Sequence, residues 1–454
     1  MKKLRRQITI IDIFIVYICF VSLLNVFLLS INYFYPFLSP FLALVLLVII
    51  LLIFKIRVVK ERKSLSWFLI PILLVALLLR LSPNLYLTGG QDQGTYVSLS
   101  KQYQENHSLY IEDELREELP QDGQKLYDRS NIFLGLELID KEASTYIMPF
   151  YPVSPSWMAI FGEILGSDNR VYALTMFGVL SVLGMYLFSY EISDKNKKVG
   201  LLASFILAIN PLHVYFSRVP LTEIVALTFF LFSFYYLMRY LSNRKGGKRD
   251  VLSLFLSLLT INVFFYTRMT AMFYLPVIIL FCILSYLFVK DKDSRRTLGI
   301  YTLIWIFTFA VSYLFYAIKI PFLFNLIIGN RLPKLSILLP TIGGIIGLMA
   351  LIGIVFKEKF FRIVRSILKW SSKNLFIFVL VIFVGLIGYQ LFGYIMKILI
   401  DGGHTLFSFE SLSKLKELSF LATVLYLSPL GFLLLPVSLI YFRKKKDVRY
   451  TFLL

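Results

Sequence analysis

The sequence predicts an all-α integral membrane protein with about twelve transmembrane helices and a long first extracytoplasmic loop. The chain of 454 residues is 58% hydrophobic and only 16% charged, with a mean hydropathy of +0.76. Soluble domains are about 45–50% apolar and about 25% charged, so this composition indicates a membrane protein. Continuous apolar runs favour helices, because a helix satisfies its own backbone polar groups inside the bilayer.

Twelve apolar runs are the predicted spans. Their core residues are 8–31, 38–54, 66–82, 171–190, 199–216, 220–240, 251–266, 270–289, 298–319, 335–356, 374–397 and 420–442. With the N-terminus inside, the inner loops hold 32 of the 47 Lys and Arg residues. The positive-inside rule therefore places both termini in the cytoplasm. Because the net charge of +20 comes from these topology signals, we expect no nucleic-acid partner.

The longest predicted outer loop, residues 83–149, is acidic. It contains 12 of the 27 Asp and Glu residues against 5 basic residues. Its middle, "EDELREELPQDGQKLYDRS", is interrupted by Pro120 and Gly123. We therefore expect a short helix there rather than a packed core.

Residues 150–166 form a separate segment after this loop. Three prolines in and just before it precede a stretch that is too short to span a bilayer. We expect an interfacial helix, with Tyr146, Tyr151 and Trp157 at the level of the lipid headgroups.

The remaining sequence adds few constraints. Cys19 and Cys282 lie within apolar runs and are interpreted as packing residues. Residues 298–442 are assigned to the C-terminal spans, and the apolar ending "VRYTFLL" leaves the completeness of the C-terminus open. The sequence has no zinc-ligand spacing, phosphate-binding loop or dinucleotide fingerprint.

Four polar or proline-rich segments follow one another at predicted outer span ends. They are "LTGGQDQGTYVSLS" from Leu87, "PFYPVSPSWMAIFGEILG" from Pro149, "NPLHVYFSRVPLTE" from Asn210 and "YTRMTAMFYLP" from Tyr266. In this order they resemble the GT-C membrane glycosyltransferases, in the bacterial branch that contains protein O-mannosyltransferases and the aminoarabinose transferases of lipid A. The resemblance covers residues 80–290.

The resemblance implies a GT-C-like core in the spans of residues 170–290 and a polyprenyl-phosphate-linked sugar as donor on the outer leaflet. It also implies that an acid at the start of the first outer loop activates or positions the acceptor hydroxyl, and Asp92 matches that place. A carboxylate suits this chemistry because it accepts the acceptor's proton. The alternative for Asp92 is an Asx turn that caps the next helix.

Gln93 stands where many members of this family have a second acid. That departure weakens the expectation of a metal held by paired carboxylates. We therefore assign no metal ligands and no cofactor, and leave a requirement for a divalent cation open.

Charged residues at two further outer turns are candidate substrate contacts. Arg218 is a candidate to bind the donor phosphate or the sugar, with Glu223 holding it or the acceptor, and Arg268 is a second candidate for the phosphate. The alternatives are snorkelling of the arginines to the interface and a favourable helix-dipole position for Glu223. Tyr96 is a candidate to stack on a sugar, or else belongs to the aromatic belt. His404 lies in "DGGHT", a predicted outer loop that could reach the site or form a plain turn.

The predicted function is transfer of a sugar from a polyprenyl-phosphate donor to an extracytoplasmic glycan, lipid or protein by a hexosyltransferase-like enzyme of the cell membrane. The alternatives are a transporter or flippase for lipid-linked oligosaccharides, and a polysaccharide polymerase. Transporters place charges and broken helices near the bilayer midplane, whereas most charges here lie at span ends. This distribution favours an interfacial enzyme.

Overall fold

A computed structural model describes residues 7–59, 65–83, 92–129, 136–242, 244–245, 248–249, 251–268 and 292–324, all within the compact unit Met1–Ser336. The described chain is mainly helical. Its helices are α1 (Ile10–Ser30), α2 (Leu38–Ile53), α3 (Leu69–Leu78), α4 (Asp92–Asn106), α5 (Glu114–Glu118), α6 (Gln121–Arg129), α7 (Val153–Leu165), α8 (Tyr172–Ile192), α9 (Lys197–Ile209), α10 (Pro211–Phe216), α11 (Glu223–Ser242), α12 (Val251–Thr267), α13 (Lys292–Lys319) and α14 (Pro321–Phe324).

The strands are short. They are β1 (Gln7–Thr9), β2 (Arg57–Val59), β3 (Tyr110–Glu112), β4 (Glu137–Asp140), β5 (Thr145–Ile147), β6 (Arg244–Lys245) and β7 (Lys248–Arg249). β1 and β2 pair in parallel, whereas β6 and β7 form an antiparallel hairpin. β5 pairs antiparallel with both β3 and β4, so these three strands form a small sheet.

Four described segments are long and apolar enough to cross a membrane. They are Ile10–Ser30, Ser167–Ile192, Glu223–Ser242 and Thr297–Lys319, and the shorter apolar helices are Leu38–Ile53, Leu69–Leu78 and Val251–Thr267. These seven correspond to spans expected from the sequence. The expected spans 270–289, 335–356, 374–397 and 420–442 lie outside the described residues.

The residues 199–216 were expected to form one continuous span. They belong to two helices, α9 and α10, so that prediction is wrong. The break falls at Asn210, whose side chain accepts a hydrogen bond from the backbone N–H of His213 and caps α10. Pro211 follows as the first residue of α10. Proline has no N–H to donate to the preceding turn, so it suits a helix start and interrupts a continuous helix.

α8 and α11 are at the centre of the described bundle. α8 packs against α9 and α11, and α11 packs against α12, which also contacts α13. α1 packs on α2, α7 and α12, while α4 lies against α7.

α7 lies inside this arrangement. The indole Nε1 of Trp157 donates to Ser22 Oγ on α1 at 2.8 Å, and the ring contacts Phe177 on α8. Trp157 therefore packs against protein on two helices, and its level relative to the lipid headgroups stays a prediction. Its burial follows from the two helices that cover this face of α7. The depth of residues 150–166 relative to a membrane stays a prediction.

The helix ends fall into two sets that match the two sides expected from the charge distribution, and we call them outer and inner ends accordingly. At outer ends, Lys319 Nζ donates to the carbonyl of Ser30, and Phe34 N–H donates to the carbonyl of His107. At inner ends, Lys197 Nζ donates to the carbonyl of Leu65. Which set faces the cytoplasm stays a prediction.

The outer loop contains more structure than the short helix that we expected. α5 and α6 lie beside the β3–β5–β4 sheet, and Arg116 is only 3% exposed. Its guanidinium binds both carboxylate oxygens of Asp128, at 2.9 and 3.1 Å, and also Ser144 Oγ and the carbonyl of Lys141. The loop therefore has a small polar core, which its low hydrophobicity did not indicate. We call residues 110–147 the loop module.

Candidate functional site at the outer helix ends

α4 begins with Asp92, the acid that the sequence predicts to be catalytic. Asp92 is exposed and is the first residue of α4, where the helix dipole stabilises a negative charge. Tyr96 follows one turn later. Because residues i and i+4 lie on one helix face, with Cβ atoms about 6 Å apart, Asp92 is directly above Tyr96 at the start of the helix.

Tyr96 joins α4 to the rest of the site. It is only 3% exposed, and its ring meets Phe150 edge to face with the centroids 5.0 Å apart. Its hydroxyl is hydrogen-bonded to Thr222, and burial is the main cause that raises its pKa well above the usual value. The described contacts of Tyr96 are with protein, and the stacking of a sugar on its ring stays a prediction.

An ion pair between Arg268 and Glu223 lies at the centre of the cluster. Arg268 Nη1 contacts Glu223 Oε1 and also donates to Thr222 Oγ1 at 3.3 Å. The two charged side chains are 32% and 33% exposed, so solvent or a ligand reaches both. Glu223 Oε2 is buried and has no hydrogen-bond partner among the described residues. The pair thus joins the end of α12 to the start of α11 and retains one unused carboxylate oxygen.

Tyrosines cover one side of this ion pair. Tyr151 interacts electrostatically with both Tyr96 and Arg268. Its ring meets Tyr316 of α13 edge to face at 5.9 Å, and the Tyr316 hydroxyl donates to the carbonyl of Tyr266 at 2.7 Å. The local environment of Arg268 is therefore aromatic.

Arg218 lies at the neighbouring outer turn and has a different partner. Its Nε donates to the backbone carbonyl of Ser82 at 2.5 Å, just after α3. The two Nη groups make no hydrogen bond or ion pair with the described residues. Arg218 is only partly buried, so these groups can receive a ligand.

The structure brings together Tyr96, Glu223 and Arg268, and Asp92 lies one turn before Tyr96 on α4. Thr222 and Tyr151 complete this cluster and were not among the sequence candidates. Thr222 directly precedes Glu223, and Tyr151 lies in the proline-rich segment. Their positions beside these motifs were the only features of the sequence that could have marked them as site residues. His404 lies outside the described residues. Within those residues, no group of three or more His, Cys, Asp or Glu side chains could hold a metal ion.

Comparison with known proteins gives one family match. Residues 169–330 match the family model described as dolichyl-phosphate-mannose-protein mannosyltransferase. The search of the curated proteins finds no match.

Two solved structures are also similar to the chain. One is the oligosaccharyltransferase AglB from Archaeoglobus fulgidus in complex with an inhibitory peptide and a dolichol-phosphate. It is 16% identical with a TM-score of 0.48, over 86% of this chain and 47% of that one. The other is an Archaeoglobus fulgidus oligosaccharyltransferase in the apo form, which is 18% identical with a TM-score of 0.39 over 56% of this chain and 30% of that one. The chain thus spans less than half the length of either protein.

The matched segment contributes Arg218, Glu223 and Arg268, which are three of the charged residues at the outer helix ends. It begins just before α8 and extends beyond α14, so it contains the central helix pair of the described bundle. Residues 169–330 therefore match a family of GT-C type glycosyltransferases, as the sequence resemblance implied.

Proposed function

We propose that this protein is a membrane glycosyltransferase that transfers a sugar from a polyprenyl-phosphate donor to an extracytoplasmic acceptor. One observation carries the proposal: the family match covers the segment that supplies Arg218, Glu223 and Arg268, and Glu223 and Arg268 lie against the helix that begins with Asp92. An acid and cations at the membrane surface suit a donor whose lipid tail stays in the bilayer.

In the proposed reaction, an oxygen of the acceptor hydroxyl attacks the anomeric carbon of the donor sugar. The bond between that carbon and the phosphate oxygen breaks, and the polyprenyl phosphate leaves with the bonding electron pair. Asp92 accepts the hydroxyl proton, or positions the hydroxyl for attack. Asp92 is suited to this role because it is exposed at a helix start.

The two arginines have complementary roles toward the phosphate. Arg268 is held at the edge of the tyrosine cluster and Arg218 presents its two Nη groups. Positive charge fixed near the leaving phosphate stabilises the charge that develops there during bond cleavage. Glu223, through its unused Oε2, is proposed to accept a hydrogen bond from a substrate hydroxyl. His404 stays a further substrate-binding candidate on sequence grounds alone.

The proposed site lies on the extracytoplasmic face, with both termini in the cytoplasm. The clustering of Lys and Arg at the opposite helix ends supports this orientation. The acidic loop module then lies on the outside, next to the site.

The test is sugar transfer by purified protein in lipid vesicles, with radiolabelled polyprenyl-phosphate sugars as donors and washed membranes as acceptor. We expect labelled product from the unaltered protein and a decrease of about 100-fold or more with Asp92→Asn. The matched control is Asp122→Asn, an exposed acid of the loop module, which should transfer normally.

Two outcomes would contradict the proposal at different levels. Absence of transfer from every polyprenyl-phosphate sugar would remove the proposed activity. Undiminished transfer by Asp92→Asn would retain the activity but exclude Asp92 from the chemical step.

A further inference from the structure

We infer that Arg80 is a positioning residue for Arg218, because each of these arginines fixes the chain segment that carries the other. This inference rests on the proposed function, in which Arg218 contacts the donor phosphate. It assigns a role to a buried network of Arg80, His213, Ser181 and Ser217 that we name the Arg80 network.

Arg80 follows α3 and is completely buried, with an exposure of 0%. Its Nε donates to Ser217 Oγ at 3.1 Å, and Nη1 donates to the carbonyl of Ala76 at 2.7 Å. Both Nη groups donate to the carbonyl of Ala208 at 3.1 Å, and Nη2 also meets His213 Nδ1 at 2.5 Å. No carboxylate pairs with Arg80 among the described residues. A buried guanidinium is therefore held by neutral acceptors alone.

Such an arrangement is costly to bury, since removing a cation from water is unfavourable unless its donors are satisfied. The hydrogen bonds also determine which ring nitrogen of His213 carries the proton. Arginine has donors only, so His213 Nδ1 must accept, and Nε2–H then donates to Ser181 Oγ at 2.7 Å. The imidazole is neutral, and the network joins the end of α3 to α8, α9 and α10.

The connection to Arg218 runs in both directions. Arg80 bonds the side chain of Ser217, the residue directly before Arg218. In return, Arg218 Nε bonds the carbonyl of Ser82, two residues after Arg80. Arg80 thus fixes the backbone next to Arg218. The segment that follows Arg80 fixes the Nε of the Arg218 guanidinium.

That segment is itself held at every residue. Thr175 Oγ1 donates to the carbonyl of Arg80 at 2.9 Å, and the Tyr172 hydroxyl donates to the carbonyl of Leu81 at 2.9 Å. With Arg218 on Ser82, three successive carbonyls each accept a hydrogen bond from a different side chain. Ser82 is therefore a fixed acceptor, which orients the plane of Arg218 and leaves its two Nη groups for a phosphate.

Gly178 allows the close approach on which this geometry depends. A Cβ at this position would lie 2.9 Å from Arg80 Cδ and closer still to Ser217 Oγ. Both contacts are shorter than real side chains tolerate. α8 can therefore reach the Arg80 network only because residue 178 has no side chain.

The experiment measures the donor KM, kcat and binding of unlabelled polyprenyl phosphate for Ser217→Ala, Tyr172→Phe and their combination. Each change removes one hydrogen-bonding group with little loss of volume. We expect the combined variant to raise the donor KM and the dissociation constant of polyprenyl phosphate about tenfold, with kcat within about twofold. The matched control is Ser204→Ala, which changes a buried serine of α9. Among the described residues its hydroxyl bonds only to its own helix, so the variant should behave as the unaltered protein.

A double-mutant cycle separates positioning from general destabilisation. In the Arg218→Gln background, Ser217→Ala should produce no further increase in the donor KM, because the residue that it positions is already absent. An equal increase in both backgrounds would overturn the inference, as would an unchanged KM in the combined variant. An Arg218→Gln variant with normal donor KM would also overturn it. Each of these outcomes leaves the proposed transfer intact, whereas a complete lack of transfer by the unaltered protein would remove the proposed function itself.

Discussion

At the scale of single residues, Arg218 and Arg268 differ in how much of each guanidinium remains for a substrate. Arg268 already contacts Glu223 and Thr222, whereas Arg218 uses only its Nε, on a backbone carbonyl. A phosphate at Arg268 must therefore share the cation with Glu223. At Arg218 it meets two Nη groups that make no bond within the described residues.

Replacement of Arg268 tests its proposed contact with the donor. We expect Arg268→Gln to raise the donor KM between about 10-fold and 100-fold, since it removes a charge-assisted hydrogen bond to phosphate. Arg268→Lys should recover part of the loss because it retains the charge but not the planar fork. The donor KM of each variant is measured from initial rates at varied donor concentration.

The control for this experiment is Lys125→Gln, which removes an exposed cation of the loop module. It should leave the donor KM unchanged. If Arg268→Gln lowers the unfolding temperature but leaves the donor KM unchanged, the ion pair with Glu223 has a structural role and Arg268 does not contact phosphate.

At the scale of elements, the loop module is held by polar contacts rather than by an apolar core. Arg116 binds Asp128 through both carboxylate oxygens, and this hydrogen bonding lowers the pKa of Asp128 below its usual value. A carboxyl whose pKa is lowered by folding stabilises the folded state above its unfolded pKa. That stabilisation is lost as the pH falls through the folded pKa.

The stability of the loop module should therefore decrease as the pH falls below about 4, the ordinary pKa of an aspartate, toward the lower pKa of Asp128 in the folded module. Asp128→Asn should destabilise the module at neutral pH by about 1 to 3 kcal/mol and remove this part of the acid dependence. Hydrogen exchange of peptides from residues 110–147, measured between pH 3 and pH 7, gives both quantities. An acid dependence that is identical in the variant would show that other carboxyl groups control the module.

At the scale of the whole described bundle, one buried ion pair connects its inner helix ends. Asp12 of α1 is 1% exposed and binds Arg239 of α11 at 2.8 Å. Arg239 Nε also donates to Ser253 of α12 at 2.7 Å, and its guanidinium contacts the rings of Tyr235 and Tyr236. Three helices thus meet at one guanidinium, on the side opposite to the proposed site.

Removal of one partner should leave an uncompensated buried charge. We expect Asp12→Asn to lower the unfolding temperature in detergent by roughly 5 to 10 °C, while the donor KM of the folded protein remains normal. Asp122→Asn breaks the exposed pair with Lys125 and should change the unfolding temperature little. Equal effects of the two variants would mean that the buried pair contributes no more than a surface pair.

The sequence by itself predicted a helical membrane protein and the positions of most apolar helices among the described residues. Span length and hydropathy depend on local composition, because the bilayer sets the length of each helix. α1, α2, α8, α11 and α12 consequently begin and end within a few residues of their predicted limits. The sequence also marked Asp92, Glu223 and Arg268 as candidates, because charged residues next to apolar runs are conspicuous.

Only the tertiary structure decided which of these residues meet. Hydropathy could not indicate that Tyr96 is buried against Thr222 or that α7 lies inside the bundle. The pairing of Arg268 with Glu223, and the connection of Arg80 to Arg218, join residues far apart in the chain. Such contacts depend on how helices pack and which backbone carbonyls remain open. A pattern read along one chain does not contain that information.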